Sequence, residues 1–345
     1  MYLNFGRVCA LEIQQTFYKN SSKRVSSATV LGILLLIYYC TSRFLSEIYF
    51  YLCYFVMTGK ITLQYSVLRE YFTENKDVVN STVFQMTADI SITLTAITVT
   101  LLVARLAFKT TVWSYLKPDK ARTKVGFKWL GPCFVFNMLA STVISFFTSF
   151  LNSVGVSVPT ADFSIKQPST FAVFMQFAYV AVLAPLFEEI VYRGLIIKLL
   201  SARSKSAAVL VSALAFGLMH GNIPQAASAF ATGLIYAVIA LRCGSIVPTV
   251  IIHSFNNLIV NSPELLGALG FKNYHTAISI IEICVALFGF FVWFTDYKFI
   301  FRYDDTPQTE EKKAAFKKVL TNPVLLIYFC VLVFVIFYRI FQANS

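Results

Sequence analysis

Long apolar runs dominate this sequence and restrict the folds open to it. Hydrophobic residues make up 57% of the 345 residues, and the mean hydropathy is +0.68, well above the values of soluble globular domains. A helix needs roughly 20 apolar residues to cross the hydrocarbon core of a bilayer. The predicted fold class is therefore all-α: a polytopic transmembrane helical bundle of about eight or nine spans. The expected spans are 28–57, 84–108, 128–152, 170–199, 206–220, 226–241, 246–262, 277–297 and 321–340.

The basic residues indicate how these spans are oriented. The net charge is +12, but lysine and arginine concentrate in loops between the apolar runs, where they set membrane topology and do not indicate a nucleic-acid partner. If the spans alternate in direction, four basic clusters fall on one side, predicted to be cytoplasmic together with the N-terminus. These clusters lie at 19–24, 109–128, 203–205 and 312–318. The loop at 59–83, which has mixed charge, is predicted to be external.

The composition also bears on location and cysteine use. No cleavable signal peptide is recognisable at the start of the sequence. Its frequent Phe, Tyr, Ile and Lys and the absence of an organelle signal favour a multi-pass protein of a bacterial plasma membrane, with the lipid bilayer as a partner. The seven cysteines are scattered singly, without CxxC spacing, and are interpreted as packing residues.

Polar residues within the spans divide the chain into three predicted regions. Residues 1–165 form an N-terminal transmembrane region. Residues 166–262 contain four closely spaced apolar segments, and their short loops make these segments antiparallel neighbours. Residues 263–345 are expected to form C-terminal transmembrane helices with a polar cytoplasmic linker.

Ionisable and amide side chains interrupt three of the most apolar segments of the middle region. Each charged group costs several kcal/mol near a bilayer centre, so such groups are usually paired and often functional. Candidate site residues are therefore Glu188, Glu189, Arg193, His220, His253 and Asn257.

Two neighbouring glutamates in the first of these segments are predicted to have different roles. Glu189 and Arg193 are four residues apart, so they lie on one helix face and can neutralise each other. Glu188 is turned about 100° away, which leaves it free to face a cavity as a general base or acid. The alternative is that all three residues form one buried ion cluster that holds helices together.

The other two segments contribute histidines and an asparagine. His220 precedes Gly-Asn-Ile-Pro, which signals a helix end, so it is either a cavity residue or an interfacial histidine. His253 and Asn257 share a helix face and can offer a proton donor, a metal ligand or an oxyanion-stabilising N–H; helix packing is the alternative. The three segments bring these groups together only if 206–220 tilts or ends inside the membrane.

The motifs EEIVYRG, FGLMH and HSFNN resemble the EExxxR, FxxxH and HxxxN motifs of the CAAX protease and bacteriocin-processing (CPBP, or Abi) membrane endopeptidases. The resemblance covers about residues 166–262. It implies that Glu188 activates water, that His220 helps to hold this water, and that His253 and Asn257 stabilise the oxyanion. It also implies supporting roles for three residues: Glu189, Arg193 and, as a packing residue, Phe216.

The resemblance leaves the metal requirement open. A glutamate and two histidines suit either a metal-free, glutamate-activated water or a bound zinc held by His220, His253 and Glu188. A zinc site would use both histidines and leave the oxyanion to Asn257 alone. We therefore favour a site without a cofactor, and a bound zinc ion is the alternative.

The expected function is that of an intramembrane endopeptidase whose cavity opens towards the cytoplasmic leaflet. The resemblance implies a membrane-bound peptide or protein substrate, either a prenylated CAAX protein or a leader peptide, bacteriocin or pheromone. One alternative is a non-proteolytic scaffold or regulator, such as a bacteriocin-immunity protein or a sensor-kinase partner. A proton-coupled carrier is another, although carriers more often show repeated halves with broken helices, a pattern that we do not find in this sequence.

Overall fold

The computed structural model describes residues 25–118, 120–302 and 309–345. These ranges are largely helical and contain no strand. In chain order the helices are α1 (Ser27–Thr58), α2 (Tyr65–Glu74), α3 (Lys76–Val79), α4 (Thr82–Leu106), α5 (Trp113–Leu116), α6 (Lys120–Ser153), α7 (Thr170–Leu200), α8 (Lys205–Leu218), α9 (Ile223–Cys243), α10 (Val247–Ala268), α11 (Tyr274–Asp296), α12 (Lys298–Phe301), α13 (Glu310–Leu320) and α14 (Pro323–Asn344).

Seven of the described helices are long and apolar enough to cross a membrane: α1, α4, α6, α7, α9, α11 and α14. The predicted all-α polytopic bundle is therefore confirmed. Helix α8, expected as a span at 206–220, has only 14 residues, about 21 Å of helix, which is shorter than the hydrocarbon core. Helix α10, expected at 246–262, has 22 residues, but histidine and asparagine side chains make it less apolar than the other long helices.

One end of the bundle, here called the basic end, gathers the loops that follow α4, α7, α9 and α11. The Ser245 hydroxyl donates a hydrogen bond to the Tyr115 carbonyl (3.1 Å), and Arg242 Nη1 donates to the carbonyl of Phe299 (2.7 Å). These contacts join loops that are far apart in sequence. The described basic residues of the clusters at 109–128 and 203–205 therefore lie at the same end, as alternating spans require; the cluster at 19–24 lies outside the described residues.

The opposite end, here called the distal end, gathers the segments 59–81, 154–169 and 269–273. The backbone N–H of Ile165 donates to Glu264 Oε1 (2.8 Å), and the Asn344 side chain donates to the carbonyl of Ser157 (2.9 Å). The segment 154–169 is thus fixed to both α10 and α14 across the end of the bundle.

A single large core joins the first and last described helices to the middle of the chain. Leu31, Trp129, Tyr192, Ile239 and Tyr328 are all buried in it. Many large apolar side chains on the outward faces of α6, α11 and α14 are exposed. An apolar exterior of this kind suits a bundle that is surrounded by lipid.

The positions of the loops make the orientation testable. In a variant without native cysteines, we expect Lys60→Cys at the distal end to react with a membrane-impermeant maleimide on intact cells. Lys117→Cys, at the basic end, is expected to react only after permeabilisation, because basic loops are retained in the cytoplasm. The opposite pattern, with Lys117→Cys modified on intact cells and Lys60→Cys protected, would show that the predicted orientation is wrong.

Candidate active site

Helix α7 is wound unevenly around the two glutamates. Wide π-helical turns occupy Phe177–Leu183 and Ile190–Leu195, and the α-helical segment between them is Ala184–Glu189. Such turns leave carbonyls without their usual helical donors and often occur at functional sites. Here they flank Glu188 and Glu189.

A fully buried ion pair lies beneath the cavity. Arg193 Nη1 donates a hydrogen bond to Glu189 Oε1 at 2.9 Å, and both side chains are completely buried. The guanidinium lies 4.0 Å from the centre of the Phe216 ring and 5.4 Å from that of Tyr236, where it can make cation–π contacts. Phe216, expected only to pack, therefore also contacts the charge of Arg193.

His253 lies between the two carboxylates. Its Nδ1 is 3.1 Å from Glu189 Oε1, within hydrogen-bonding distance, and its Nε2 is 3.6 Å from Glu188 Oε2. The second distance is too long for a direct hydrogen bond. His253 is buried, whereas the Glu188 side chain keeps 19% of its surface exposed. Glu189 is thus the buried partner of Arg193 and His253, and Glu188 is the glutamate that reaches the cavity.

His220 lies in the tight turn between α8 and α9. Helix α8 ends at Leu218, and Gly221 has φ +69°, a conformation that favours glycine. The Asn222 side chain caps α9 by accepting a hydrogen bond from the backbone N–H of Gln225 (3.0 Å) and donates one to the His220 carbonyl (3.2 Å). The helix-ending signal after His220 is confirmed, and the segment ends inside the bundle.

The ring of His220 is oriented by its own helix. Its Nδ1 lies 2.9 Å from the Phe216 carbonyl, and a carbonyl can only accept, so Nδ1 carries the proton. In the neutral ring, Nε2 is then the nitrogen available as an acceptor to a group in the cavity.

The last helix also contacts the turn that carries His220. Arg339 Nη1 donates to the Gly221 carbonyl at 3.3 Å. Arg339 precedes Asn344, the last residue of α14, by five positions, which is about 8 Å along a helix. The turn of the α8–α9 hairpin therefore contacts α14 before that helix reaches its distal end.

Asn257 is held by one of the wide turns of α7. Its Nδ2 donates to the Val180 carbonyl at 2.9 Å, which engages one of its two N–H groups. The adjacent Asn256 donates to the Tyr236 hydroxyl, also at 2.9 Å. The sequence motif marked Asn257 but gave no indication of the Val180 partner, because the wide turn is not encoded in the motif.

A cavity of about 350 Å³ brings together the four residues expected to be catalytic. Glu188 comes from α7, His220 from the hairpin turn, and His253 with Asn257 from α10. The sequence analysis missed several polar residues that also line the cavity; the run HSFNNLIVN hinted only at those from α10. The missed residues are Asn137, Ser141, Tyr179, Gln225, Ser228, Thr232, Tyr236, Asn256 and Asn261.

The cavity opens towards the distal end. Phe163, from the segment 154–169, and Asn261, near the distal end of α10, form part of its lining. Towards the basic end, α7 to α10 contribute buried side chains, among them Leu195, Val211 and Ile239. A cytoplasmic basic end and a cavity that opens on the cytoplasmic leaflet are therefore incompatible. Hydropathy predicts the number of spans but not the depth at which a hairpin ends. The expectation that the cavity opens towards the cytoplasmic leaflet therefore had no geometric basis.

The suggested zinc ligands share the cavity without forming a metal cluster. Within the described ranges, no group of three or more His, Cys, Asp or Glu side chains is placed to hold a metal ion. His253 and Glu188 are close to each other, but His220 does not complete a three-ligand set with them. The described geometry therefore does not fit a zinc site built from these three residues.

Comparison with known proteins gives one match. Residues 170–259 match the family model described as type II CAAX prenyl endopeptidase, Rce1-like. No curated protein and no solved structure shows a significant match to the chain. The matched segment begins with α7 and ends within α10, so it contains all four residues expected to be catalytic. Residues 170–259 are therefore similar to the Rce1-like type II CAAX prenyl endopeptidase domain, and this match is consistent with the CAAX protease and bacteriocin-processing family that the motifs resemble.

Proposed function

We propose that the protein is an intramembrane endopeptidase that hydrolyses a peptide bond with a water activated by Glu188. The observation that carries this proposal is the difference in environment between the two adjacent glutamates. Glu189 is buried and neutralised by Arg193, whereas Glu188 is partly exposed in the cavity shared with His220, His253 and Asn257. A purely structural ion cluster needs no second carboxylate in a cavity, so this arrangement supports catalysis.

In the proposed reaction, Glu188 accepts a proton from water while the water oxygen attacks the scissile carbonyl. His220 Nε2 helps to hold this water. The carbonyl oxygen becomes an oxyanion, which the second N–H of Asn257 and Nε2–H of His253 stabilise. Glu188 then passes the proton to the leaving nitrogen, so the C–N bond breaks and a carboxyl and an amine group form.

The buried ion pair explains how His253 could act as a donor. When Nδ1 donates to Glu189, Nε2 can also donate only if both nitrogens carry protons. Two carboxylates, one guanidinium and one imidazolium then sum to zero charge, which lowers the cost of keeping them away from water. Glu189 and Arg193 are accordingly positioning residues.

The proposed substrate is a membrane-associated peptide or protein, cleaved either in the manner of CAAX processing or as a leader peptide or bacteriocin precursor. The family match supports the first class, and the motifs resemble both. A non-proteolytic scaffold or regulator remains the alternative function. A Glu188→Gln variant that retained the biological role without cleaving a substrate would favour this alternative.

Glu188→Gln is expected to abolish processing while the protein still inserts into the membrane, because an amide cannot accept the proton from water. Cleavage of a membrane-bound substrate by isolated membranes is the measurement. Glu282→Gln makes the same chemical change on α11 and should leave processing intact. Normal cleavage by Glu188→Gln would contradict the proposed mechanism.

Glu189→Gln is expected to reduce both activity and folded yield, since Arg193 would remain buried without its charged partner. Removing one member of a buried pair typically costs about 3–5 kcal/mol. Thermal unfolding in detergent measures this loss. An unfolding temperature equal to that of the wild-type protein would show that the pair does not stabilise the fold.

Asn257→Ala and chelation test the metal-free mechanism together. Loss of one oxyanion donor lowers a rate about 100- to 1000-fold, so Asn257→Ala should fall in this range with the fold intact, while EDTA or phenanthroline should inhibit little. A zinc enzyme would instead lose activity on chelation and regain it with zinc. About one zinc per purified chain, lost with activity in His220→Ala, would reverse the assigned roles.

A further inference from the structure

We infer that a phospholipid whose headgroup carries both a phosphate and an ammonium group binds in a cavity at the distal end, between α1, α2 and α3. This cavity has a volume of about 460 Å³ and shares no lining residue with the proposed catalytic cavity. Its charged residues are Glu47 from α1, Arg69 from α2 and Lys76 from α3. The inference goes beyond the proposed function and can be tested without proteolysis.

The cavity lies at the depth where phospholipid headgroups are expected. The backbone N–H of Lys166, in the distal segment 154–169, donates to the hydroxyl of Thr82 at the start of α4 (2.8 Å). The ring centres of Tyr49 and Phe84 are 5.4 Å apart, so Glu47 is level with the first turns of α4. The apolar span gives way to the polar distal end at this level, where the headgroups of the surrounding lipid begin.

Helix α2 forms the outer wall of the cavity. Helix α1 continues beyond the start of α4, and α2 packs along this projecting part. The ring centres of Phe50 and Phe72 are 5.3 Å apart, and those of Tyr54 and Tyr71 are 5.1 Å apart. Both pairs meet edge to face, an arrangement that aromatic rings favour. These contacts between α1 and α2 fix the wall that carries Arg69.

The three charged side chains of the cavity are exposed and have no partner. Within the described ranges, Glu47, Arg69 and Lys76 form no ion pair and no side-chain hydrogen bond. A simple anion would be attracted by the two cations but repelled by Glu47. A headgroup with both charges satisfies all three residues, because its phosphate can contact Arg69 and Lys76 while its ammonium group contacts Glu47.

An apolar surface for the acyl chains lies beside these charges. Phe44 precedes Glu47 by three residues, so it lies about one turn deeper on nearly the same side of α1. Phe44 and Ile48 are both exposed and, being four residues apart, share a helix face. The site thus offers charged contacts at the headgroup level and apolar contacts below them. A soluble phosphate would leave this apolar surface uncovered, which favours a lipid.

Lipid titration of the purified full chain in detergent, followed by native mass spectrometry, tests the assignment of the charges. Phosphatidylethanolamine carries both charges, whereas phosphatidylglycerol carries the phosphate alone. The wild-type protein should therefore bind phosphatidylethanolamine about two- to fivefold more tightly, the range expected for one exposed ion pair. Glu47→Gln should remove this preference. The double variant Arg69→Gln/Lys76→Gln should bind both lipids about tenfold more weakly, because two such pairs are lost.

Two matched control variants at the same end are Glu70→Gln and Lys60→Gln. Both residues are exposed and do not line the cavity, so these variants should bind lipid as the wild-type protein does. The preference is a ratio of two affinities measured on the same variant, so a lower folded yield does not change it. Equal binding of both lipids by the wild-type protein, or an unchanged preference in Glu47→Gln, would overturn the inference.

Inorganic phosphate distinguishes a lipid site from a site for free phosphate. At millimolar concentration it should not displace bound phosphatidylethanolamine, because it makes no contact with Glu47 or with the apolar surface of α1. Displacement of the lipid by inorganic phosphate would show that the cavity binds phosphate alone. Wild-type affinity for both lipids in Arg69→Gln/Lys76→Gln would place the bound lipid elsewhere on the protein and would equally refute the inference.

Discussion

The contact among Glu189, Arg193 and His253 is the interaction on which the rest of the site depends. A carboxylate and a guanidinium that are both completely buried cannot be separated without leaving an uncompensated charge away from water. Their pairing ties α7 to α10 through His253 and to α8 through the Phe216 ring. The helices that carry the proposed catalytic groups are thus joined beneath the cavity by one charged cluster.

The cavity itself results from two departures from regular spanning helices. Helix α8 is too short to cross the membrane, so its turn places His220 at the depth of Glu188. The wide turn at Phe177–Leu183 frees the carbonyl that holds Asn257.

Much of this arrangement could be predicted from residue spacing. The four-residue interval between Glu189 and Arg193 predicted their pair, and the Gly-Asn-Ile-Pro run after His220 predicted a helix end. Both features depend only on residues that lie close together in the sequence. The fold class followed in the same way from the length of the apolar runs.

The direction in which the cavity opens could not be predicted, because it depends on how far each helix reaches relative to its neighbours. Arg339 contacts Gly221 at the turn of the hairpin, and the two residues are 118 positions apart. Asn256 and Tyr236 were missed for a similar reason. Their hydrogen bond links two helices, and the position of neither residue in the sequence indicates the other as its partner.

The wide turns of α7 make the length of this helix as important as its composition. A π-helical turn holds about one more residue than an α-helical turn, so deleting one residue from Phe177–Leu183 would let the helix rewind regularly. Residues on either side of the deletion would keep roughly their faces, because the wide turn is what accommodates the extra residue, but the Val180 carbonyl that accepts from Asn257 would return to the regular helical hydrogen-bond ladder. Substitutions in this segment should therefore be tolerated far better than single-residue deletions, and natural variants of such a helix would be expected to differ in side chains while conserving the residue count.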